Sequence, residues 1–314
     1  MERYGHLEGL PSGSARVATI GAFDGVHRGH AALVERLVLE ARHRQARSVV
    51  VTFEPHPAAV LRGMPPTLLC DPLERDARLA ELGLDDLVVE HFDTELAAQS
   101  AEAFVRRLGA GRRLVSLLMT EASAFGHGRG GTIASMRRLG AAEGFDVVEV
   151  PQRQAGGAVI SSSRIRAAIG AGRLSEARRL LGRRYAVTGT VVRGDGRGRT
   201  LGFPTANLGF DAPVALPPDG IYAVRVDLDV AAAPPHRTVD GVASLGVRPT
   251  FGVGARILEV HLLDLDEDLY GTRLRVAFVR RQRGERRFAD VDALVAQMGR
   301  DVAGARRILS RARP

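Results

Sequence analysis

Residues 21 to 30 read Gly21-Ala22-Phe23-Asp24-Gly25-Val26-His27-Arg28-Gly29-His30. Before them stands a strand-like run, Val17 to Ile20, and after them Ala31 to Val38 carries apolar residues at helical spacing. The segment is therefore a strand-to-helix turn. Such a turn aims open backbone N–H groups and the positive end of a helix dipole at one place, a setting that suits phosphate. His27 and His30 add two imidazole donors there, and Gly29 between them lets a bulky anion approach the backbone. A second stretch, Ile160-Ser161-Ser162-Ser163-Arg164-Ile165-Arg166, puts hydroxyls, open N–H groups and guanidinium donors at another helix start. Two such termini on one sheet can grip a triphosphate from both sides.

A third constellation lies in the second half, at Gly194-Asp195-Gly196-Arg197-Gly198-Arg199-Thr200-Leu201-Gly202-Phe203-Pro204-Thr205-Ala206-Asn207. Its glycines make a loop able to wrap a polyphosphate. A dinucleotide fingerprint is excluded here, because no helix is expected to follow and Pro204 opposes one. Thr205 and Asn207 lie two apart, so on an extended segment their side chains face the same way. A hydroxyl and an amide oxygen are hard ligands that suit Mg²⁺.

These residues must be positioned by two kinds of architecture. A chain of 314 residues has the length of two domains. Up to about Leu181, strand-like runs (Val17–Ile20, Ser48–Phe53, Leu87–Glu90, Leu114–Met119 and Phe145–Val150) alternate with helical stretches. Asp71-Pro72-Leu73-Glu74, Ser100-Ala101-Glu102 and Thr132 or Ser135 supply helix starts. That alternation implies an α/β domain with a doubly wound parallel sheet, whose ligands sit at the carboxyl ends of the strands. From Tyr185 the texture changes to short strands (Tyr185–Val192, Ile221–Val226, Thr238–Leu245, Ile257–Leu262 and Leu274–Val279) punctuated by Gly, Pro and Asp. They predict a small antiparallel β-barrel, closed by a C-terminal helix with an apolar stripe of Val291, Leu294, Val295, Met298, Val302, Ile308 and Leu309. The domains expected are residues 15–182 and 183–314. Ala231 to Pro235 is expected to form a hairpin loop.

Composition removes several classes. All 44 basic residues are arginine, so the lysine of a Walker A loop, of a protein kinase or of a Schiff base is missing. The net charge of +8 is spread among interleaved acids, and aromatics make up 5% with no tryptophan, so a nucleic-acid partner is not expected. No apolar run approaches a membrane span, the N-terminus lacks a signal-peptide layout, and the single cysteine, Cys70, fits a reducing compartment. A cytoplasmic enzyme acting on small molecules, with no membrane partner, is the expectation. Oligomeric state is not legible.

The Gly21–His30 turn resembles the HxGH nucleotidyltransferases, and in particular their FAD-synthetase branch, as does Val51-Thr52-Phe53-Glu54-Pro55-His56-Pro57. The Phe203–Asn207 string closely resembles riboflavin kinases. So do Asp219–Ala223, Gly246–Thr250, Leu258–Asp264, Asp268–Gly271 and Arg283–Phe288. From about Val17 to Leu309 the chain thus resembles the prokaryotic bifunctional riboflavin kinase/FAD synthetase family. The resemblance implies that riboflavin and ATP give FMN at the barrel, and that FMN and ATP give FAD and pyrophosphate at the N-terminal domain. It also implies ATP contacts from Gly21, Phe23, Asp24, His27, His30, Ser161, Ser162 and Arg166 for adenylylation, with His27 and His30 stabilising charge at the α-phosphate. For the kinase it implies ATP contacts from Gly196, Arg197, Gly198 and Thr205, Mg²⁺ held by Thr205 and Asn207, Glu259 as general base, and flavin contacts from Arg283, Glu285 and Phe288.

The chain departs from the family at one loop, Thr120-Glu121-Ala122-Ser123-Ala124-Phe125-Gly126-His127. There a Gly-x-(Asp/Asn)-Phe-x-Phe-Gly-Lys-like pattern is usual, and alanine can neither donate nor accept a hydrogen bond. Val159 also stands where a basic residue is frequent, and Ser244 where asparagine is. Two expectations remain open: a bifunctional enzyme with an altered adenylylation site, or a riboflavin kinase with a weak or degenerate N-terminal domain. A flavin- or nucleotide-binding regulator is a third class, which the intact Thr205, Asn207 and Glu259 oppose.

Overall fold

A computed structural model describes residues 1–111, 113–194, 196–230, 236–247 and 256–312, apart from the side chain of Arg197. By internal contacts the chain forms two compact units, Met1–Thr67 with Pro72–Ser162, and Leu68–Asp71 with Ser163–Pro314.

The first unit contains β1 (Glu2–Tyr4), β2 (Ala15–Ile20), α1 (Arg28–His43), β3 (Arg47–Glu54), α2 (Pro57–Arg62), α3 (Pro72–Glu81), β4 (Asp86–His91), α4 (Thr94–Ala98), α5 (Ala101–Gly109), β5 (Arg113–Met119), α6 (Ile133–Glu143), β6 (Asp146–Glu149) and the small hairpin β7 (Gln154–Ala155) and β8 (Ala158–Val159). Strands β1 to β6 make one parallel sheet of order β1-β4-β3-β2-β5-β6. Helices cover both faces, which is why the central strands are apolar without alternation. Val49, Val51 and Val88 enter one core cluster, while Val50, Leu87 and Val89 enter the other. The strand order reverses between β2 and β5. A crevice at such a switch point, outside the carboxyl ends of the strands, is where doubly wound sheets bind ligands. Strand β1 was not expected: Glu-Arg-Tyr is short and polar, and only its pairing with Asp86–Val88 makes it a strand. Near the opposite end of the sheet, fully buried Arg16 and Asp86 pair at 2.7 Å.

The second unit contains α7 (Ser162–Gly170, its first residue belonging to the first unit), α8 (Leu174–Leu181), β9 (Ala186–Val192), α9 (Arg197–Thr200), β10 (Ala206–Gly209), β11 (Gly220–Asp227), β12 (Thr238–Val247), β13 (Arg256–Leu262), β14 (Arg273–Arg283) and α10 (Val291–Arg311). The strands close a barrel in the order β10-β13-β12-β11-β14-β9, every pairing antiparallel. Helix α10 lies against β11, β12 and β14. Ala223, Ala305 and Leu309 are buried at that contact, with Val242, Val279 and Ile308 packed beside them.

Two expectations need correction. The glycine loop was read without a helix, yet one short helix, α9, forms inside it. It is bounded by Gly196 and Gly202 at φ 70° and 81°, and Pro204 falls only after its end. Of the expected stripe of α10, Leu309 is buried, Leu294, Val295, Met298, Val302 and Ile308 are half-buried and Val291 is exposed, while Gln297 and Asp301 are buried beside them. Asp301 holds Arg283 through two hydrogen bonds at 3.0 and 2.6 Å. Gln297 donates to the same carboxylate at 2.9 Å. The expected loop at Ala231–Pro235 lies outside the described residues, as do Arg248–Thr250 of the Gly246–Thr250 segment.

Candidate active sites

In the first unit, a cavity of about 760 Å³ opens where the loops after β2 and β5 meet. Its β2 side is built on His27. This residue is the N-cap of α1, its Nδ1 accepting the backbone N–H of His30 at 3.2 Å. An Nδ1 that accepts leaves the neutral ring its proton on Nε2, so the cap also fixes the tautomer. The His30 ring stacks on His27 with centroids 3.6 Å apart and planes at 14°. Burial pushes the His30 pKa well below the ordinary imidazole value, and the adjacent His27 pushes in the same direction. Gly29 leaves no room for more, since a Cβ there would sit 3.1 Å from the His27 ring. Phe23, held at φ 49° and almost wholly buried, lies 5.1 Å from the His30 ring.

Gly21, Phe23, His27, His30, Ser161 and Ser162 all line this cavity. Asp24 does not: it is buried, and its carbonyl accepts the Ser162 hydroxyl at 3.0 Å, joining the two phosphate-ready segments. Arg166 lies four residues beyond Ser162, in the second unit. The opposite wall was not anticipated as a unit. It is aromatic: Phe53 meets Phe92 and Phe104 at 5.4 and 6.1 Å, and Phe104 meets Phe125 at 6.3 Å. These rings come from β3, the segment after β4, α5 and the loop after β5, so no local spacing could announce them. The altered loop also lines the cavity. Its Ser123 hydroxyl accepts the Thr120 backbone N–H at 3.0 Å and lies 3.0 Å from the Thr120 hydroxyl. That serine closes the turn rather than standing in for a polar group at Ala122.

In the barrel, strand register assembles the site. Asn207 is paired across from Glu259, and Glu259 on its other side from Ser244. The three form a row on the outer face, because Leu258 and Val260, on either side of Glu259, are fully buried. The glycine loop closes over this row. A Cβ at Gly194 would collide with the Asn207 amide, and one at Gly198 would collide with the Phe203 carbonyl and stand 3.2 Å from the Thr205 hydroxyl. His261 braces the segment before Thr205, its Nδ1 lying 2.7 Å from the Pro204 carbonyl oxygen and its ring 5.5 Å from that of Phe203. Further round the barrel, Glu285 fills the space beside Gly246, and the Arg283 guanidinium lies 6.0 Å over the Phe288 ring. Gly196 and Gly198 flank the start of α9, while the Arg197 side chain lies outside the described residues.

A parallel sheet with a phosphate-ready cavity, followed by a barrel with a glycine loop, defines a two-domain transferase that handles nucleotides. The comparisons narrow this to one family. The FAD synthetase family matches residues 11–164, and the riboflavin kinase family matches residues 181–309. The chain is 39% identical over 300 residues to the bifunctional riboflavin kinase/FMN adenylyltransferase of Escherichia coli strain K12, covering 95% of this chain and 94% of that one. It is 33% identical over 303 residues to the protein of the same name from Bacillus subtilis strain 168, covering 95% and 93%. A solved structure described as a macrolide-efflux protein from Streptococcus pneumoniae superposes with a TM-score of 0.83, at 29% identity, over 97% of this chain and 98% of that one. Among the described residues no helix is long and apolar enough to cross a membrane. The chain belongs to the bifunctional riboflavin kinase/FMN adenylyltransferase family and carries both of its domains. The presence of both supports the two-activity expectation and not the kinase-only one.

Proposed function

We propose that this protein converts riboflavin to FMN at the barrel and FMN to FAD at the parallel-sheet domain, consuming one ATP at each step. The observation that carries the reading is the pairing, within one chain, of two separately built nucleotide sites with the two family matches. Residues 15–182 are assigned to adenylylation and residues 183–314 to phosphorylation.

At the barrel, Glu259 takes the proton from the ribityl 5′-hydroxyl as that oxygen attacks the γ-phosphorus of ATP. The γ-phosphoryl bond to ADP breaks, and the electron pair leaves with ADP. Gly196, Gly198 and Thr205 hold the ATP phosphates, together with Arg197. Arg283, Glu285 and Phe288 lie on the flavin side. Mg²⁺ fits at Thr205 and Asn207 only in company with a polyphosphate, since both donors are neutral and no group of three His, Cys, Asp or Glu among the described residues could hold a metal. When bound, the ion supplies charge neutralisation on the phosphates.

At the cavity, an oxygen of the FMN phosphate attacks the α-phosphorus of ATP and pyrophosphate departs. The protein contributes position and electrostatics. His27 offers its Nε2–H as a donor held by the helix cap. His30, kept neutral, stacks behind it. Ser161, Ser162 and the N–H groups opening α1 and α7 hold phosphate oxygens. The aromatic wall of Phe53, Phe104 and Phe125 suits an isoalloxazine ring. A single buried-side-chain cysteine and small-molecule substrates support a reducing, cytoplasmic setting.

The test is chromatographic. The protein is incubated with Mg²⁺, ATP and riboflavin, and separately with Mg²⁺, ATP and FMN, and the flavins are resolved. FMN and FAD from the first incubation and FAD from the second are expected. FMN without FAD in both would remove the adenylylating half of the reading, and no product at all would remove the whole.

A further inference from the structure

The reaction assigned to the cavity brings two anions together, the FMN phosphate and the polyphosphate of ATP, in a chain without lysine. The permanent positive charge that the protein's own side chains can add there must therefore come from arginine. The cavity wall holds His27, His30, His56 and His127, together with Arg129 and Arg153, and no Asp or Glu among the described residues. His30 is kept neutral by burial and by its neighbour. His56 spends its Nδ1 on the Ala58 backbone N–H, 3.2 Å away. That leaves the two guanidiniums as the permanent charges of the wall.

Elsewhere in this unit buried arginines are matched to carboxylates, as Arg16 and Arg75 are to Asp86 and Asp76. Arg129 and Arg153 are exposed rather than buried, and what sets them apart is their place in a cavity wall that holds no carboxylate among the described residues. Among the described residues neither forms an ion pair, and Arg129 reaches only the Ala122 carbonyl, at 3.5 Å. Arg129 is also held in place by a built turn. Its φ is 59°, a left-handed conformation that costs a non-glycine residue about 1–2 kcal/mol. The loop around it has no slack. Gly131 donates to the Phe125 carbonyl at 2.9 Å, and His127 to the Gln99 carbonyl at 2.8 Å. Cβ atoms at Gly126 or Gly131 would be driven into Ala101, at the start of α5. Strain maintained by such packing marks a residue whose position matters. Arg153 is fixed from another direction, its carbonyl accepting the Ile160 N–H at 2.9 Å, which seats it beside Ser161 and Ser162.

We propose that Arg129 binds the phosphate of FMN and that Arg153 binds the β- and γ-phosphates of ATP, the part that leaves as pyrophosphate. The division follows their neighbours. Arg129 shares its loop with Phe125 of the aromatic wall, whereas Arg153 adjoins the serine-bearing helix start. The inference rests on the cavity being the adenylylation site.

The experiment measures FAD formation by the full-length protein with FMN and ATP varied in turn, for wild type, Arg129→Gln and Arg153→Gln. Loss of a charge-assisted hydrogen bond predicts a rise of about tenfold or more in KM for FMN in Arg129→Gln, with KM for ATP within about twofold of wild type. Arg153→Gln shows the reverse pattern, and pyrophosphate inhibits it more weakly. FMN formation from riboflavin stays at the wild-type rate in both. If Arg129→Gln has a lowered melting midpoint, Arg129→Lys is set against Arg129→Met: lysine alone keeping the FMN KM near wild type supports the charge, and equal losses overturn the proposal. Unchanged KM values in both glutamine variants, or parallel losses for both substrates, also overturn it. Absence of FAD from the wild type sinks the underlying reading instead, so the two failures are distinguishable.

Discussion

The two sites of this chain solve the same problem, holding ATP against a flavin, by opposite constructions. In the barrel, the row proposed to react is set by register. Once β10, β13 and β12 pair, Asn207, Glu259 and Ser244 must stand side by side. In the parallel-sheet unit nothing comparable exists. Its cavity collects the turn after β2, the loops after β5 and β6, the segment after β4 and the start of α7, and the sheet order alone brings them together. A site on strands is specified by short strings. A site on loops is specified by topology and by whatever pins each loop. The barrel should therefore fail sharply at single side chains. The cavity should separate into residues that supply chemistry and residues that only hold a loop.

The largest effect expected is at Glu259. Glu259→Gln removes the proposed base and keeps the size, so FMN formation is expected to fall by about 10²–10⁴-fold while FAD formation from supplied FMN is unchanged. Chromatography of the two reactions checks both halves. Equal loss of both would mean that the sites are not independent, and the contrast drawn between them would go.

His27 comes next, because it joins both roles of the cavity. His27→Ala loses a donor and a helix cap, so FAD formation falls by about 10²–10³-fold and α1 loses about 1 kcal/mol. His27→Asn restores an oxygen that can accept the His30 N–H but supplies no Nε2–H. Its melting midpoint should return toward wild type while the rate stays low. Recovery of the rate with the cap would reduce His27 to a structural residue.

These two residues also mark the limits of what the sequence makes legible. The strand-to-helix turn is local, so its residue types and their spacing already carry a phosphate site, whereas Glu259 stands in an alternating strand and only the family resemblance singles it out. The alternation of apolar runs likewise carries the parallel sheet and the barrel. The aromatic wall is not legible, because Phe53, Phe104 and Phe125 are distant in sequence and meet only through the strand order. Arg129 and Arg153 are two among 44 arginines, and nothing in the string marks them as lacking an acid partner. Asp24 shows the converse. It belongs to the most legible motif, yet it does not line the cavity, and its carbonyl accepts the Ser162 hydroxyl. Buried Asp301 and Gln297 on α10 escape an amphipathic reading because their partner, Arg283, comes from a distant strand.

A smaller effect separates the units by pH. The His30 pKa is lowered in the folded protein, so below the ordinary value of 6.5 the unfolded chain binds a proton that the folded chain resists. Its contribution to stability is intact above that value and is lost as pH falls from 6.5 toward the depressed folded pKa. Urea midpoints between pH 7 and pH 5, followed by circular dichroism, should fall more steeply for wild type than for His30→Gln. Parallel slopes would show that His30 takes up its proton without penalty, and the neutral stack would then be wrong.

The smallest effect tests whether the altered loop is held or merely degenerate. The Ser123 hydroxyl is committed to Thr120, so Ser123→Ala removes a turn-closing bond worth about 1 kcal/mol and touches no substrate. KM for FMN and for ATP should both drift by less than about threefold, against the one-sided rise of about tenfold expected at Arg129. Ser123→Asp sharpens the test, because it adds a carboxylate to a wall that has none. If Ser123 only holds the turn, alanine is nearly silent while aspartate lowers FAD formation by repelling both anions. A one-sided loss of FMN affinity in Ser123→Ala would instead put the serine in contact with the flavin nucleotide, and the cavity would then depend on single side chains as strictly as the barrel does.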